Sequence, residues 1–277
     1  MSASASSPSQ DPIASLAADA NIGRIALITG GGTGIGRATA LAFARTGASV
    51  AICGRRTEPI EAAHAEIEAT GAACVAVSDC DIREPEQVDR LVAEVLERFG
   101  RIDVLVNNAG GQFTAPAEEI ALKGFRAVQR LTVDAAWGLT QKVAVAAMIP
   151  ARRGLVVFIG FSPRRGIPGF THASAARAAL ENLAQGLANE WSRFGIRSVC
   201  VAPGNIDTEA FAAYGEEEVD VARRQVPLKR LGTPEEVGAV IAFLATEAAA
   251  FITGSSLLVD GGLDAWGLGE EPPDLVV

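Results

Sequence analysis

One tyrosine, Tyr214, and two histidines are all that the 277 residues hold of those types. Nothing has the spacing of a metal-ligand cluster, so no metal is expected. Cysteine is scarce too: Cys53, Cys74, Cys80 and Cys200 form no CxxC pair, and three fall in or beside apolar strand-like runs, where a reduced cysteine behaves as a small hydrophobe. A reducing, cytoplasmic setting is therefore expected. No apolar run reaches the roughly 18 residues that suggest a membrane span, and the opening MSASASSPSQDP lacks the cationic start of a signal peptide. Positive charge is short as well, with 24 Lys and Arg against 33 Asp and Glu and a formal net charge of −9. That balance argues against nucleic-acid or membrane partners, whose phosphates reward clustered cations. No repeat of fixed period is present.

What the chain does have is alternation. RIALIT (24–29), SVAIC (49–53), ACVAV (73–77), DVLVN (103–107), LVVFIG (155–160), RSVCVA (197–202) and SLLVD (256–260) read as strands, most of them apolar on both faces as buried parallel strands are. The longer stretches between them carry helical periodicity, with Pro85 and Pro234 placed as first helical residues. The class is α/β: one Rossmann-type domain, a doubly wound seven-stranded parallel sheet with helices on both faces. The domain is expected over 21–265. Residues 1–20, small and polar, read as a disordered arm, and 266–277 as an acidic tail whose ordering needs a partner surface.

Directly after the first strand comes TGGGTGIG, leading into a helical run. Gly30, Gly32, Gly34 and Gly36, with Thr33 and Ile35 between them, would let the backbone turn sharply and approach a pyrophosphate held by helix N-terminal amides. Dinucleotide-binding folds place an acid about 20 residues on to bond the ribose 2′-hydroxyl, and a cation there suits a 2′-phosphate instead. Gly54 stands in the acid's place, followed by Arg55 and Arg56, and an arginine fork matches phosphate. NADP(H) is the expected cofactor; the same two arginines would otherwise be a solvated basic turn.

These glycines, Asp81 with Ile82 after the third strand, NNAG (107–110) after the fourth and PGNIDT (203–208) after the sixth resemble the short-chain dehydrogenase/reductases in type and order. The resemblance implies that Asp81 bonds the adenine amino group, that Asn108, Ala109 and Gly110 line the cofactor, and that Ile206 and Thr208, following Pro203 and Gly204, hold the nicotinamide carboxamide. Without it, Asp81 could serve a turn and the asparagines could satisfy loop backbone.

The resemblance also implies a tyrosine and a lysine four residues apart in the helix after the fifth strand, with a serine and an asparagine completing the set. Here the alignment puts Ala173 in the tyrosine slot, Arg177 in the lysine slot and Thr132 in the asparagine slot. Ser162 lies one step beyond the serine slot. With Tyr214 the only tyrosine, no change of register restores the pair. Arg177 would still hold ribose hydroxyls and supply positive charge, but arginine is a poor proton donor. Ketone reduction makes an alkoxide that needs an acid as it forms; reduction of a conjugated C=C bond makes an enolate, whose charge donors and cations can stabilise. A narrower similarity, carried by NNAGGQF, AARA after a histidine, APGNI with YG downstream, PLKRLGTPEEV and FITGSSLLVDGG, is to the peroxisomal trans-2-enoyl-CoA reductases, 2,4-dienoyl-CoA reductases and bacterial citronellal dehydrogenase-like proteins.

Four groups are candidates for the missing work: His172 as acid or base, Ser162 and Thr132 as oxyanion donors, and Tyr214 from a lid. Each has a plainer role available, in a cap, a turn or packing. Arg164 and Arg165 would pair with a substrate carboxylate or a CoA phosphate, or else form a surface ion pair. The leading expectation is an NADP(H)-dependent reductase of an activated alkene. The alternatives are a carbonyl reductase or alcohol dehydrogenase with a relocated acid, and a non-redox NADP-binding member acting as silent subunit, cyclase or isomerase. The alanine-rich run at 173–191 suits close helix packing in a homodimer or homotetramer.

Overall fold

The computed structural model describes residues 11–267 and 271–274. Seven strands, β1 (Ile25–Thr29), β2 (Ser49–Cys53), β3 (Cys74–Val77), β4 (Val104–Asn107), β5 (Gly154–Ile159), β6 (Ile196–Pro203) and β7 (Ser256–Val259), form one sheet in the order β3-β2-β1-β4-β5-β6-β7. Every pairing is parallel. The strands stand within two residues of the expected runs, because β-branched stretches apolar on both faces have no other stable place than the middle of a two-sided sheet.

The period of two builds two cores. Leu27, Leu105, Val156 and Phe158 point to one face; Ile28, Ile52, Val106 and Val157 point to the other. The first core is covered by α3 (Pro85–Phe99), by α5 (Ala135–Val143) and by α7 (Thr171–Trp191). The helix containing α5 is continuous from α4 (Leu122–Gln129) to α6 (Ile149–Ala151), with π-helical turns at Arg130–Asp134 and Ala144–Met148. The second core is covered by α1 (Gly34–Arg45), α2 (Thr57–Ala69) and α10 (Pro234–Leu244). Two short helices, α8 (Glu209–Ala212) and α9 (Glu216–Gln225), follow β6, and α11 (Leu263–Trp266) follows β7.

The helix ends follow from their sequences. Pro85 opens α3, which stops at Gly100 in the left-handed region at φ 73°, where a side chain would be strained. Pro234 opens α10 behind a Thr233–Glu236 capping box, which satisfies two otherwise orphaned amides. At the opposite edge of the sheet from the glycine turn, buried Asp103 accepts the Ile25 amide at 2.9 Å and the guanidinium groups of Arg101 and Arg153. One carboxylate thus ties the starts of β1, β4 and β5.

Two boundary expectations need correction. Residues 11–20 are not a disordered arm: Asp11 caps a 3-10 turn over Pro12–Ser15, and Ile13, 3% exposed, packs with Leu16 against Ala42, Ala239 and Ala242. Two apolar side chains suffice to outweigh the polar composition around them. Residues 1–10 lie outside the described residues. Part of the acidic tail likewise has a surface within its own chain. Lys229 Nζ lies 3.3 Å from Glu271 Oε1 and 3.8 Å from Asp274 Oδ1, and Pro272 is buried. Residues 268–270 and 275–277 lie outside the described residues.

The packing of α1 on α10 gives the first test. A Cβ on Gly238 would stand 2.9 Å from the backbone of Ala38, so Gly238→Ala must separate the two helices. We expect a loss of about 1–3 kcal/mol, measured by denaturant unfolding.

Candidate active site

The site lies at the C-terminal edge of the sheet, where β1 and β4 are neighbours and the order of winding reverses; open α/β sheets bind ligands at such a point. The glycine turn leaves β1 with Gly30 at φ 64° and enters α1 with Gly34 at φ 51°, conformations that glycine tolerates without strain. Gly36 has no room for a side chain, since a Cβ there would overlap the Gly30 carbonyl and the Asn108 amide. The open N-terminus of α1 then offers amides and a positive dipole end to an anion.

Beside this turn is a cavity of roughly 190 Å³ whose wall includes Gly30, Gly32 and Thr33. Arg55, Arg56, Asp81 and Ile82 form its far side, and Ala109 and Gly110 its near side. Nine of the sequence-predicted cofactor residues therefore face one space. Ile35, partly buried, packs into the second core. Gly34 meets the Thr208 methyl at 3.4 Å from an ideal Cβ position, and these two residues line a neighbouring hollow. Pro203 ends β6; Gly204 runs so close to Asp260 that a Cβ would stand 2.7 Å from it. Ile206 is 5% exposed and bridges to Gly232, while the Thr208 hydroxyl caps α8 by accepting the Phe211 amide at 3.1 Å.

Two of these residues have work that the sequence did not show. Asn108 turns its amide back, donating to the carbonyls of Thr29 at 2.9 Å and Gly30 at 3.3 Å. Asp81 is gripped by the Arg83 guanidinium, and its own amide donates to Gln87 Oε1 at 2.6 Å. Hydrogen bonding to Arg83 holds the Asp81 carboxyl down at about 2, so it is an anion throughout the neutral range.

The tyrosine slot is not an open space. Ala173 is 1% exposed and packs with Val128, Ala176, Phe161 and Phe170, so neighbouring apolar side chains close over it. Arg177, one turn on, is partly buried, and its Nη1 donates to the Ile159 carbonyl at 2.6 Å. It has no carboxylate partner among the described residues, and burial pulls its pKa below the ordinary arginine value. Its Nη2 lies against Gly110, where a Cβ would overlap it. The missing side chain at 110 is what admits a guanidinium to this place.

The other candidates are not all free to act. The Ser162 hydroxyl donates to Asp260 Oδ2 at 2.5 Å, which commits its one proton. Thr132 is buried in the π-helical turn and makes no side-chain hydrogen bond among the described residues. His172, in the first turn of α7, is fully buried, with neither ring nitrogen bonded. Its ring lies 4.2 Å from that of Phe113, and burial lowers its pKa, so the imidazole is neutral at physiological pH. Tyr214 is 42% exposed and meets Phe170 and Phe211 edge-on. Arg164 binds buried Asp264 through its amide at 2.7 Å and its guanidinium at 3.1 Å, so its charge is already matched within the chain; Arg165 is exposed. Among the described residues there is no metal-ligating cluster and no helix long and apolar enough to cross a membrane.

A glycine turn at the switch point, bare cavity walls and cations at both ends define a dinucleotide-binding oxidoreductase fold. Comparison with known proteins makes the class specific. A family model described as enoyl-(acyl carrier protein) reductase matches residues 30–264, and a probable 2,4-dienoyl-CoA reductase of Bacillus subtilis is 36% identical over 241 residues, 85% of this chain and 94% of that protein. A citronellol catabolism dehydrogenase of Pseudomonas aeruginosa superposes with a TM-score of 0.80 at 37% identity, covering 90% of this chain and 98% of its own. A putative NAD(P)-dependent gluconate 5-dehydrogenase of Beutenbergia cavernae, with NADP bound at low occupancy, superposes at 0.81 with 36% identity, covering 88% and 98%. The chain belongs to the short-chain dehydrogenase/reductase family, whose members use NAD or NADP.

Two outcomes test the geometry. In Gly110→Ala the new methyl group pushes Arg177 off the Ile159 carbonyl. The reduced nicotinamide cofactor is then expected to bind about tenfold more weakly, near the roughly 1.5 kcal/mol of a charged hydrogen bond, with Arg177→Lys recovering part of the loss; fluorescence titration with NADH and NADPH reads both. Asp81 has a folded pKa below its ordinary 3.8. Its contribution to stability is therefore full above that value and is lost as pH falls toward about 2. Asp81→Asn should cost about 1 kcal/mol at pH 7, with the gap from wild type closing between pH 4 and pH 2 in urea melts.

Proposed function

We propose that this protein is an NADP(H)-dependent reductase of an activated carbon–carbon double bond, an enoyl thioester or an enone. The observation that carries this reading is the Arg177 cation, partly buried, fixed on a carbonyl and without a carboxylate partner among the described residues, one turn from a position where Ala173 supplies no acid.

The cofactor fits the chain's own features. Gly30, Gly32, Thr33 and the α1 N-terminus would hold its pyrophosphate, and Arg55 and Arg56 would take a 2′-phosphate, for which the gap at Gly54 leaves no competing acid. Arg177 would hold the nicotinamide ribose beside Gly110, with Ile206 and Thr208 closing the carboxamide end. Bound there, the nicotinamide supplies or accepts a hydride.

The protein's part is electrostatic. Hydride addition to a conjugated alkene places negative charge on the substrate oxygen. A fixed cation in a poorly solvated cleft stabilises that charge more in the transition state than in the ground state. The Thr132 hydroxyl and an N–H of neutral His172 are both buried and would serve the same oxygen where the substrate displaces the side chains that cover them. Ser162 is a weaker candidate while Asp260 holds its proton. Tyr214 would cover the substrate from the α8–α9 segment, and water or one of these modest acids completes proton transfer at carbon.

The four cysteines stand unpaired, as a reducing cytoplasm would keep them. The outer face of α7 exposes Ala175, Ala178 and Gly186, small enough for a second copy to approach, which supports a dimer or tetramer.

The test is NADPH consumption over a panel of enoyl thioesters, enones and ketones. We expect the conjugated alkenes to be reduced and simple ketones not. Arg177→Gln should lower kcat by about a hundredfold or more, the scale of losing one oxyanion donor. Preferential ketone reduction would point to a carbonyl reductase with a relocated acid. Tight NADPH binding with no turnover of any substrate would point to a non-redox role.

A further inference from the structure

Aromatic side chains are few, 5% of the chain, yet four of them meet at one place. Phe161 follows β5, Phe170 precedes α7, and Phe211 and Tyr214 come from the segment after β6. They form a continuous series: Phe161 to Phe170 at 6.3 Å and 88°, Phe170 to Tyr214 at 6.4 Å and 76°, Tyr214 to Phe211 at 5.8 Å and 68°. Edge-to-face contacts use the positive rim of one ring and the negative face of another; Phe161 and Phe170 also pack on Ala173, which leaves Tyr214 as the most open ring of the series. Phe113 is 39% exposed and Tyr214 42%. The loops carrying Phe113 and Phe170 are joined, the Ala115 amide donating to the Gly169 carbonyl at 3.0 Å.

A second observation at the same place is polar. Fully buried His172, stacked on Phe113, leaves both ring nitrogens unbonded. Leaving a buried polar group without a partner is costly, and native structures seldom do so without a reason. Neutral imidazole has one donor and one acceptor to give. Phe113 covers the imidazole, so a flat apolar group that displaced this ring would lie against the aromatic series and bring an oxygen to a nitrogen that has no partner. A linear chain would gain burial from the rings but nothing from their faces.

We infer that the substrate is ring-bearing: an aryl or cyclic group conjugated with the reducible bond lies against Phe170 and Tyr214, and its carbonyl oxygen accepts a hydrogen bond from His172. This rests on the alkene-reductase reading and narrows it to one substrate class. The consequence is selectivity that depends on ring shape rather than on apolar size.

Two saturated ketones of similar apolar content, 4-phenyl-2-butanone and 2-octanone, probe the site without requiring chemistry. Calorimetric titration into the protein with NADP⁺ is expected to show the aryl ketone binding at least tenfold more tightly. That ratio should fall at least fivefold in Phe170→Leu/Tyr214→Ala, with NADP⁺ affinity confirming that the variant is folded. His172→Leu should weaken both ketones. Equal or weaker aryl binding, binding of neither ketone, or a ratio that survives the double substitution overturns the ring site. The corresponding enones, 4-phenyl-3-buten-2-one and 3-octen-2-one, test the reaction separately. Aryl-selective binding without turnover of either enone overturns alkene reduction and leaves the ring site standing. Turnover of both with no binding preference does the reverse.

Discussion

The Thr29 hydroxyl is the joint on which the site turns. It accepts the amides of Asn108 at 3.0 Å and Ala109 at 2.9 Å, while the Asn108 side chain returns two hydrogen bonds to the carbonyls that begin the glycine turn. Three atoms of the β1 exit are thereby fixed to the β4 exit across the switch point. The phosphate-binding turn on one side and the Ala109–Gly110 wall on the other are both held by this clasp, which uses backbone groups that would otherwise be orphaned at the ends of two strands.

From that joint the charges separate along the cleft. The chain as a whole is acidic, yet Arg55 and Arg56 stand at one end of the cavity and Arg177 beyond the other. Local cations in a chain of net negative charge concentrate attraction for an anion where it is needed. Asp81, the one carboxylate in the cavity wall, is offset by Arg83. The same separation explains why Arg164 contributes nothing to the cleft's charge: Asp264 already matches it.

The sheet could be read directly because strands buried on both faces leave a local trace, four to eight apolar residues bounded by turns. The cofactor wall was legible for a related reason: its residues lie immediately after strands whose order the fold dictates. What escaped the sequence was the pairing of individual side chains from distant segments. Ser162 and Asp260 are 98 positions apart, and the rings of Phe170 and Tyr214 meet only after β5 and β6 have been laid side by side. Phe113 was legible only as the end of the NNAGGQF stretch, with nothing to show that it would cover His172. Ile13 and Leu16 did carry a local signal, two apolar residues in a polar stretch, and composition averaged it away. The tyrosine slot reads in sequence as a lost side chain, whereas packing shows that Phe161 and Phe170 have closed around Ala173.

The contact between Arg177 and Gly110 links two positions 67 residues apart in a way that has a direction. Arginine fits at 177 only where 110 is bare, because a methyl group would stand inside the guanidinium. Lysine, with a slimmer tip, makes no such demand. While arginine stands at 177, position 110 is not free to vary. A slimmer side chain at 177 can be introduced first, whereas any larger residue at 110 can be accommodated only after that change.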